Sequence, residues 1–245
     1  DRFGYSVSLS LDGKVLAVGS PEFTSAAGPS GAALIFELDG TGWHQRKILI
    51  SAFTEALDYF GASVSLSGDG NTLAVGAVYE DSAVVDDPLN EDKSAVGAVY
   101  VFARQGSDWA EQAYIKASNP DEDDTFGGSV SLSADGNTLA VGAAFESSAS
   151  TGIDGAQADN SAQWSGAAYL YRRSGSAWHH AAYIKATNTQ ASTVNEDVFF
   201  GIALSLSGDG RTFAVGSPGE RGGATGINGD ATDRSKSNAG AVYVY

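Results

Sequence analysis

Nine oxygen-bearing side chains fall into three long polar segments of the 245-residue chain. They are Glu80, Asp81 and Asp86 in the first, Glu146, Asp154 and Asp159 in the second, and Glu220, Asn228 and Asp233 in the third. Calcium takes roughly six to eight oxygen ligands from carboxylates, amides and carbonyls on flexible loops, so glycine-containing segments of this kind are chemically suitable for it. Their spacing matches no known cage. A second reading fits the same residues: Glu and Asp cap turns and accept backbone amides, and the shared stretches TGIDG (151–155) and TGING (225–229) form a compact turn whose Ile tucks inward. Trp164 lies in the second segment, without a counterpart in the others, as an aromatic for a sugar or protein contact or as packing over its own loop. With Trp164, Glu80, Glu146 and Glu220 are the candidates for touching a partner.

Other chemistries find little material. The chain has no Cys, which removes disulfides, thiolate metal sites and Cys nucleophiles together. Its three His residues, His44, His179 and His180, follow recurring Trp residues at a repeated place, which is a structural position. No G-x-S-x-G, H-E-x-x-H or phosphate-cradling glycine loop occurs. Acidic residues abound, yet no carboxylate pair stands out from the repeat background as a hydrolase would need. The expectation is a protein that is not an enzyme. A net charge of −16 speaks against nucleic acid, whose binders cluster Lys and Arg, and no run of 18 apolar residues is present to insert into a membrane.

The elements that must position these residues are copies of one unit. FGYSVSLSLDGKVLAVGS from Phe3, FGASVSLSGDGNTLAVGA from Phe60, FGGSVSLSADGNTLAVGA from Phe126 and FGIALSLSGDGRTFAVGS from Phe200 align without gaps. A loop of variable length follows each, then GAALIF from Gly31, GAVYVF from Gly97, GAAYLY from Gly166 and GAVYVY from Gly240. Three copies continue to Trp43, Trp109 or Trp178 and a strand ending near Ile50, Ile115 or Ile184. The copies span approximately 1–57, 58–123, 124–197 and 198–245, the last without its fourth strand.

Each copy reads as four strands. Val and Leu alternate with Ser in the first, the period-2 sign of a strand with one apolar face. Asp12, Asp69, Asp135 and Asp209, each followed by Gly, predict a hairpin in which both positions accept positive φ. GAVYVF is apolar on both faces and must be covered on both, as happens when sheets are stacked around an axis. No segment has sustained helical periodicity. The fold class is therefore all-β: a β-propeller of four-stranded antiparallel blades, with four repeats present as part of a larger ring. The long loops emerge on one face of such an array, where binding is expected.

The Phe-Gly start, the AVGA or AVGS block and the GAVYVF block together resemble the FG-GAP repeat of integrin α-chain heads and of many bacterial surface and secreted proteins. The resemblance implies a β-propeller at the cell surface or outside the cell that binds a ligand or partner. Many FG-GAP blades carry a D-x-D-x-D-G calcium loop between their first two strands. Here that connection is SLDGK, SGDGN, SADGN or SGDGR, and one carboxylate cannot build a cage. These Asp residues are expected to form turns.

The favoured function is a binding or adhesion module that recognises a protein or carbohydrate through its long-loop face with calcium assistance. The alternative is a scaffold or substrate-positioning propeller of a larger secreted enzyme. The chain has no initiator Met and no signal-peptide pattern at its start, so it is expected to be a piece of a longer product whose open blade edges pair with another chain. The acidic run from Asp121 to Asp124 is expected to be solvated surface, and the Asp ahead of Phe-Gly (Asp1, Asp58, Asp124) to cap a turn.

Overall fold

Alternating Ser and apolar residues, punctuated by Asp-Gly, fold into four antiparallel sheets in a computed structural model that describes residues 1–25, 28–53, 55–84, 89–90, 92–191 and 198–245. The first sheet holds β1 (Ser6–Leu9) and β2 (Val15–Ser20). A small hairpin, β3 (Thr24–Ser25) and β4 (Gly28–Pro29), follows in the loop, and β5 (Ala32–Asp39) and β6 (Gly42–Leu49) complete the sheet. The second contains β7 (Phe60–Leu66), β8 (Thr72–Ala77), β9 (Ala98–Gln105) and β10 (Asp108–Ile115). The third contains β11 (Ser129–Leu132), β12 (Thr138–Ala143), β13 (Ala167–Ser174) and β14 (Ala177–Ile184). The fourth has three strands, β15 (Ala203–Leu206), β16 (Phe213–Ser217) and β17 (Ala241–Val244). No helix occurs among the described residues. Each sheet is a meander of consecutive strands, and the four form the blades of a β-propeller.

The Asp-Gly turns differ from the expected two-residue hairpin. Only the glycine takes positive φ, at 70° for Gly13 and 66° for Gly136, while the Asp does not. The turn begins two residues earlier: the Gly13 amide donates to the Ser10 carbonyl at 2.9 Å. Ser10 Oγ donates to Asp12 Oδ1 at 2.7 Å, and that oxygen also accepts the Lys14 amide at 3.0 Å. The same pattern recurs at Ser67/Asp69, Ser133/Asp135 and Ser207/Asp209. The serine hydroxyl, then the backbone amide, holds Asp12, Asp135 and Asp209 below the usual carboxylate range. These Asp residues are thus turn formers, with their lone pairs engaged inside the turn.

The alternation along the first strand separates two neighbouring blades. Val64 and Leu66 are buried towards blade one, in a cluster with Val15, Ala17, Ala33 and Ile35. The serines face the following blade: Ser63 Oγ donates to the Gly127 carbonyl at 2.7 Å, and Ser65 Oγ accepts the Leu132 amide at 2.9 Å. Three hydrophobic clusters result, one at each junction of consecutive blades. The third strand serves two of them, since Tyr100 and Phe102 pack towards blade one and Val99 and Val101 towards blade three.

One joint explains why Phe-Gly, AVG and GA recur together. The Phe-Gly of each blade enters beneath the two glycines of the preceding blade. A Cβ on Gly142 would lie 2.0 Å from the Gly201 carbonyl oxygen, and one on Gly166 would lie 2.0 Å from that of Phe200. Backbone approaches that closely only where there is no side chain. Phe60, Phe126 and Phe200 are fully buried in such joints, whereas Phe3 is 58% exposed. Val7, Leu9, Val242 and Val244 are likewise exposed, on the outward faces of blades one and four. Trp43, 44% exposed where Trp109 is buried, follows the same rule. The turn tips continue the stacking, with the Leu11, Gly68 and Ala134 amides donating in turn to Gly68, Ala134 and Gly208 carbonyls at 2.9 Å.

Candidate functional site

Each long loop is closed at its root by one residue, three positions beyond the second strand. The Glu146 amide donates to the Ala143 carbonyl at 3.3 Å, and its carbonyl accepts the Gly166 amide at 2.8 Å. Glu80 and Glu220 make the same pair of bonds with Ala77 and Gly97, and with Ser217 and Gly240. Phe23 makes them in blade one, with Ser20 and Gly31. The recurring glutamate is therefore a loop clamp by its backbone, and its side chain points into the protein.

That side chain meets the fourth strand. Glu146 Oε2 pairs with Lys185 Nζ at 2.7 Å and its Oε1 accepts the Tyr183 hydroxyl at 2.8 Å, both side chains of the ion pair being inaccessible to solvent. Lys185 also donates to Ser165 Oγ at 2.8 Å. In blade two Glu80 binds Lys116, and Tyr114 donates to it at 2.5 Å. Burial lowers the pKa of both lysines against the pull of their glutamates, and burial together with the adjacent carboxylate raises that of both tyrosines. An asparagine joins consecutive blades: Asn119 donates to Glu146 Oε1 at 3.1 Å and accepts the Tyr169 hydroxyl at 2.8 Å. Asn188 repeats this with Glu220 and Tyr243.

Blade one lacks the entire polar group. The pairing of Ala33 with Leu49, matching Val99 with Ile115 and Ala168 with Ile184, places Ile48 and Ile50 where the other blades have Tyr and Lys. Phe23 replaces the glutamate. A buried ion pair exchanged as a unit for apolar residues leaves no charge stranded. The pattern was present in the sequence as AYIKASN (113–119) and AYIKATN (182–188), paired with Glu80 and Glu146 and absent from copy one. Lys116, Lys185, Tyr114, Tyr183 and the two asparagines carry no local signal of this role, because they lie far along the chain from the loops they anchor.

The remaining candidates serve the loops themselves. Asp81 Oδ1 accepts the Ala95 amide at 2.8 Å, Asp159 Oδ1 the Ser161 amide at 2.9 Å, and Asp233 Oδ1 the Ser235 amide at 2.8 Å. Asp154 Oδ1 accepts the Tyr183 amide at 2.9 Å. Asp154 and Asn228 both take positive φ, at 54° and 56°. The Ile beside them does not tuck inward as expected: Ile153 is 57% exposed and Ile227 94%. Asp86 lies outside the described residues.

The eight candidates among the described residues do not converge on a cation. Among the described residues no group of three or more Asp, Glu or His side chains is placed to hold a metal ion. The Glu80 and Glu146 oxygens are already engaged by ammonium and phenol groups. These residues do not fit a calcium cage. Nor can the three glutamates form a contact surface, being buried at the loop roots.

Trp164 has a counterpart after all, two residues before the glycine of the third strand. Ala95, Trp164 and Asn238 share that place and a positive φ. Its ring packs edge-on against Phe145 at 5.7 Å and is 36% exposed. The acidic run also divides. Asp121 ties two loops together, pairing with Lys93 at 2.7 Å and accepting from Asn160. Asp124 is buried, where its Oδ2 accepts the Asp121 amide at 3.1 Å. Asp58 caps the corresponding turn in blade two by accepting the Glu55 amide at 2.6 Å.

The loops form one surface through such contacts. Thr189 Oγ1 donates to the Ser150 carbonyl at 2.7 Å, and Asn188 Nδ2 to the Ala231 carbonyl at 2.9 Å. On it Tyr79, Val84, Leu89, Ile153, Trp164 and Ile227 are exposed. These exposed side chains stand on loops whose roots are held by buried polar groups.

The family model described as FG-GAP repeat matches residues 43–102 and 109–171, half of the chain. Each match runs from the fourth strand of one blade through the third strand of the next. A search of curated proteins finds no match. Among solved structures, the chain is similar to hydrazine synthase of Kuenenia stuttgartiensis, at 12% identity and a TM-score of 0.47 over 87% of this chain and 44% of that one. It is also similar to the tricorn protease, at 8% identity and a TM-score of 0.43 over 86% of this chain and 19% of that one. The GH74 enzyme of Niastella koreensis matches at 15% identity and a TM-score of 0.33, over 88% of this chain and 33% of that one. The chain spans less than half the length of each.

Proposed function

The chain belongs to the FG-GAP repeat family, and from that premise we propose that it is a non-catalytic binding or adhesion module acting at the cell surface or outside the cell. A protein or carbohydrate partner docks on the long-loop face. The observation that supports this reading most is the exposure of apolar side chains, Trp164 and Tyr79 foremost, on loops whose roots are locked by buried polar groups. A loop surface held rigid before binding loses less entropy on contact. The buried titratable groups of the blades bond one another, which favours a structural use for them over proton transfer. The surrounding negative charge favours neutral or basic partners.

The test is a panel of immobilised polysaccharides and basic extracellular proteins, probed with the chain and with a Tyr79→Ser/Trp164→Ser/Ile227→Ser variant. The reading expects at least one saturable interaction that the variant loses while its melting temperature is kept. Absence of binding across the panel, or a variant that binds equally well, counts against the loop face.

A further inference from the structure

Blades two and three part along their outermost strands, whereas blades one and two are tied together there. At the first junction Lys47 Nζ pairs with Asp108 Oδ1 at 2.6 Å, and Arg104 Nη2 pairs with Glu37 Oε1 at 2.5 Å. At the second junction the strand registers put Ala113 in the place of Lys47, Ala177 in that of Asp108 and Ala103 in that of Glu37. Both ion pairs are lost together. Arg173, which matches Arg104, lies over the Trp178 ring, 5.4 Å from its centre, and donates to Gln112 Oε1 at 3.3 Å.

The result is a cleft of about 300 Å³ between β10 and β14, with Ala113 and Ala177 in its lining. Small-molecule sites run from roughly 300 to 1,000 Å³, so this one admits a single ring-sized group. Tyr171 and Trp178 supply an aromatic wall. Trp178 is fixed by its Nε1, which donates to Gln112 Oε1 at 3.3 Å. That oxygen therefore accepts twice, while the Gln112 amide group has no acceptor among the described residues. His180 stands edge-on to Tyr171, with ring centres 5.6 Å apart, and its Nε2 is 3.5 Å from Ser118 Oγ on the opposite strand. Desolvation lowers the His180 pKa, which leaves the imidazole mostly neutral at pH 7. No Asp, Glu or Arg lines the cleft, and Lys116, which does, has its ammonium on Glu80.

We propose that this cleft binds one neutral hexopyranose ring. A pyranose is apolar on its faces and polar at its rim, which matches an aromatic wall beside a few fixed polar groups. Its hydroxyls accept from the Gln112 amide and donate to the neutral His180 ring. The lining offers no free cation to hold a uronate, and the net charge of −16 opposes one. It offers no carboxylate to hold an amino sugar either. The site shares no residue with the exposed side chains of the long-loop face.

The methyl glycosides of glucose, galactose and mannose, titrated into the 245-residue protein, are the probes. At least one should shift the NMR signals of the Trp178 indole and the Gln112 side-chain amide saturably. A dissociation constant in the roughly millimolar range is expected for a ligand of about a dozen non-hydrogen atoms. Gln112→Ala should weaken binding roughly five- to tenfold, as for one lost hydrogen bond. Ala113→Lys/Ala177→Asp installs the Lys47–Asp108 pair of the first junction across the cleft and should abolish binding. Tyr79→Ser/Trp164→Ser/Ile227→Ser, which alters only the loop face, should leave it unchanged. No saturable shift with any of the three up to roughly 50 mM would overturn the proposal. So would undiminished affinity in Gln112→Ala, or binding of methyl glucuronide as tight as that of the neutral sugars.

Discussion

Glu146 and Lys185 lie 39 positions apart in sequence and form an ion pair at 2.7 Å that no solvent reaches. One residue ties the root of a long loop and the other ends the outermost strand of the same blade. The pair therefore couples the candidate binding surface to the sheet beneath it, as Glu80 and Lys116 do in blade two.

Removing one partner strands the other charge in a dry site. Lys116→Met should destabilise the protein by about 3–5 kcal/mol, read from urea unfolding. The triple change Glu80→Phe/Tyr114→Ile/Lys116→Ile copies blade one and should recover most of that loss. A triple variant no more stable than the single one would show that the ion pair does more than fill its site.

The Phe-Gly joints predict a contrast between identical substitutions. Phe60→Ala removes a fully buried ring from between blades one and two and should cost about 3–5 kcal/mol. Phe3→Ala removes a ring that is more than half exposed and should change stability by less than about 1 kcal/mol. Similar losses at the two positions would mean that the outward face of blade one is covered in solution.

Calcium should have little effect. The melting temperature with millimolar calcium and with excess chelator should agree within about 2 °C, since ligand binding to the native state alone would raise it. A larger rise with calcium would locate a site in the loops beyond the carboxylates placed here.

The strands and their grouping into blades were legible because repetition lines up the same alternation four times, and Phe-Gly, AVG and GA mark the joints. What repetition could not reveal was direction. The Glu80, Glu146 and Glu220 side chains sit in loops of polar composition, and only the return of the fourth strand beneath those loops shows that they point inward. Their partners are supplied from 36 positions away in blade two and 39 in blade three. The serines of the first strand likewise read as a solvent face in isolation, yet Ser63 and Ser129 donate to glycine carbonyls of the next blade, at 2.7 Å each. The Asp-Gly pair marks a turn in the sequence, but the turn's conformation depends on the preceding serine, whose hydroxyl carries the hydrogen bonds.

Asp124 gives a pH-dependent prediction. Burial, with the nearby Glu146 charge adding to it, raises its folded-state pKa to about 8, far above the roughly 4 of an unfolded aspartate. The folded protein therefore holds a proton that the unfolded chain releases. The stabilisation this provides is fully present below about pH 4 and declines as pH rises towards 8, because deprotonation increasingly favours the unfolded state. Asp124→Asn keeps an oxygen to accept the Asp121 amide and removes the titration. Melting temperatures from pH 4 to 8 should then show parent and variant close at the acid end. The variant should lead at pH 7 by up to about 4 kcal/mol, roughly three pH units above the unfolded value, with each kcal/mol worth roughly 2–4 °C in a chain of this size. A difference that stays constant across that range would mean that Asp124 is ionised in the folded protein throughout.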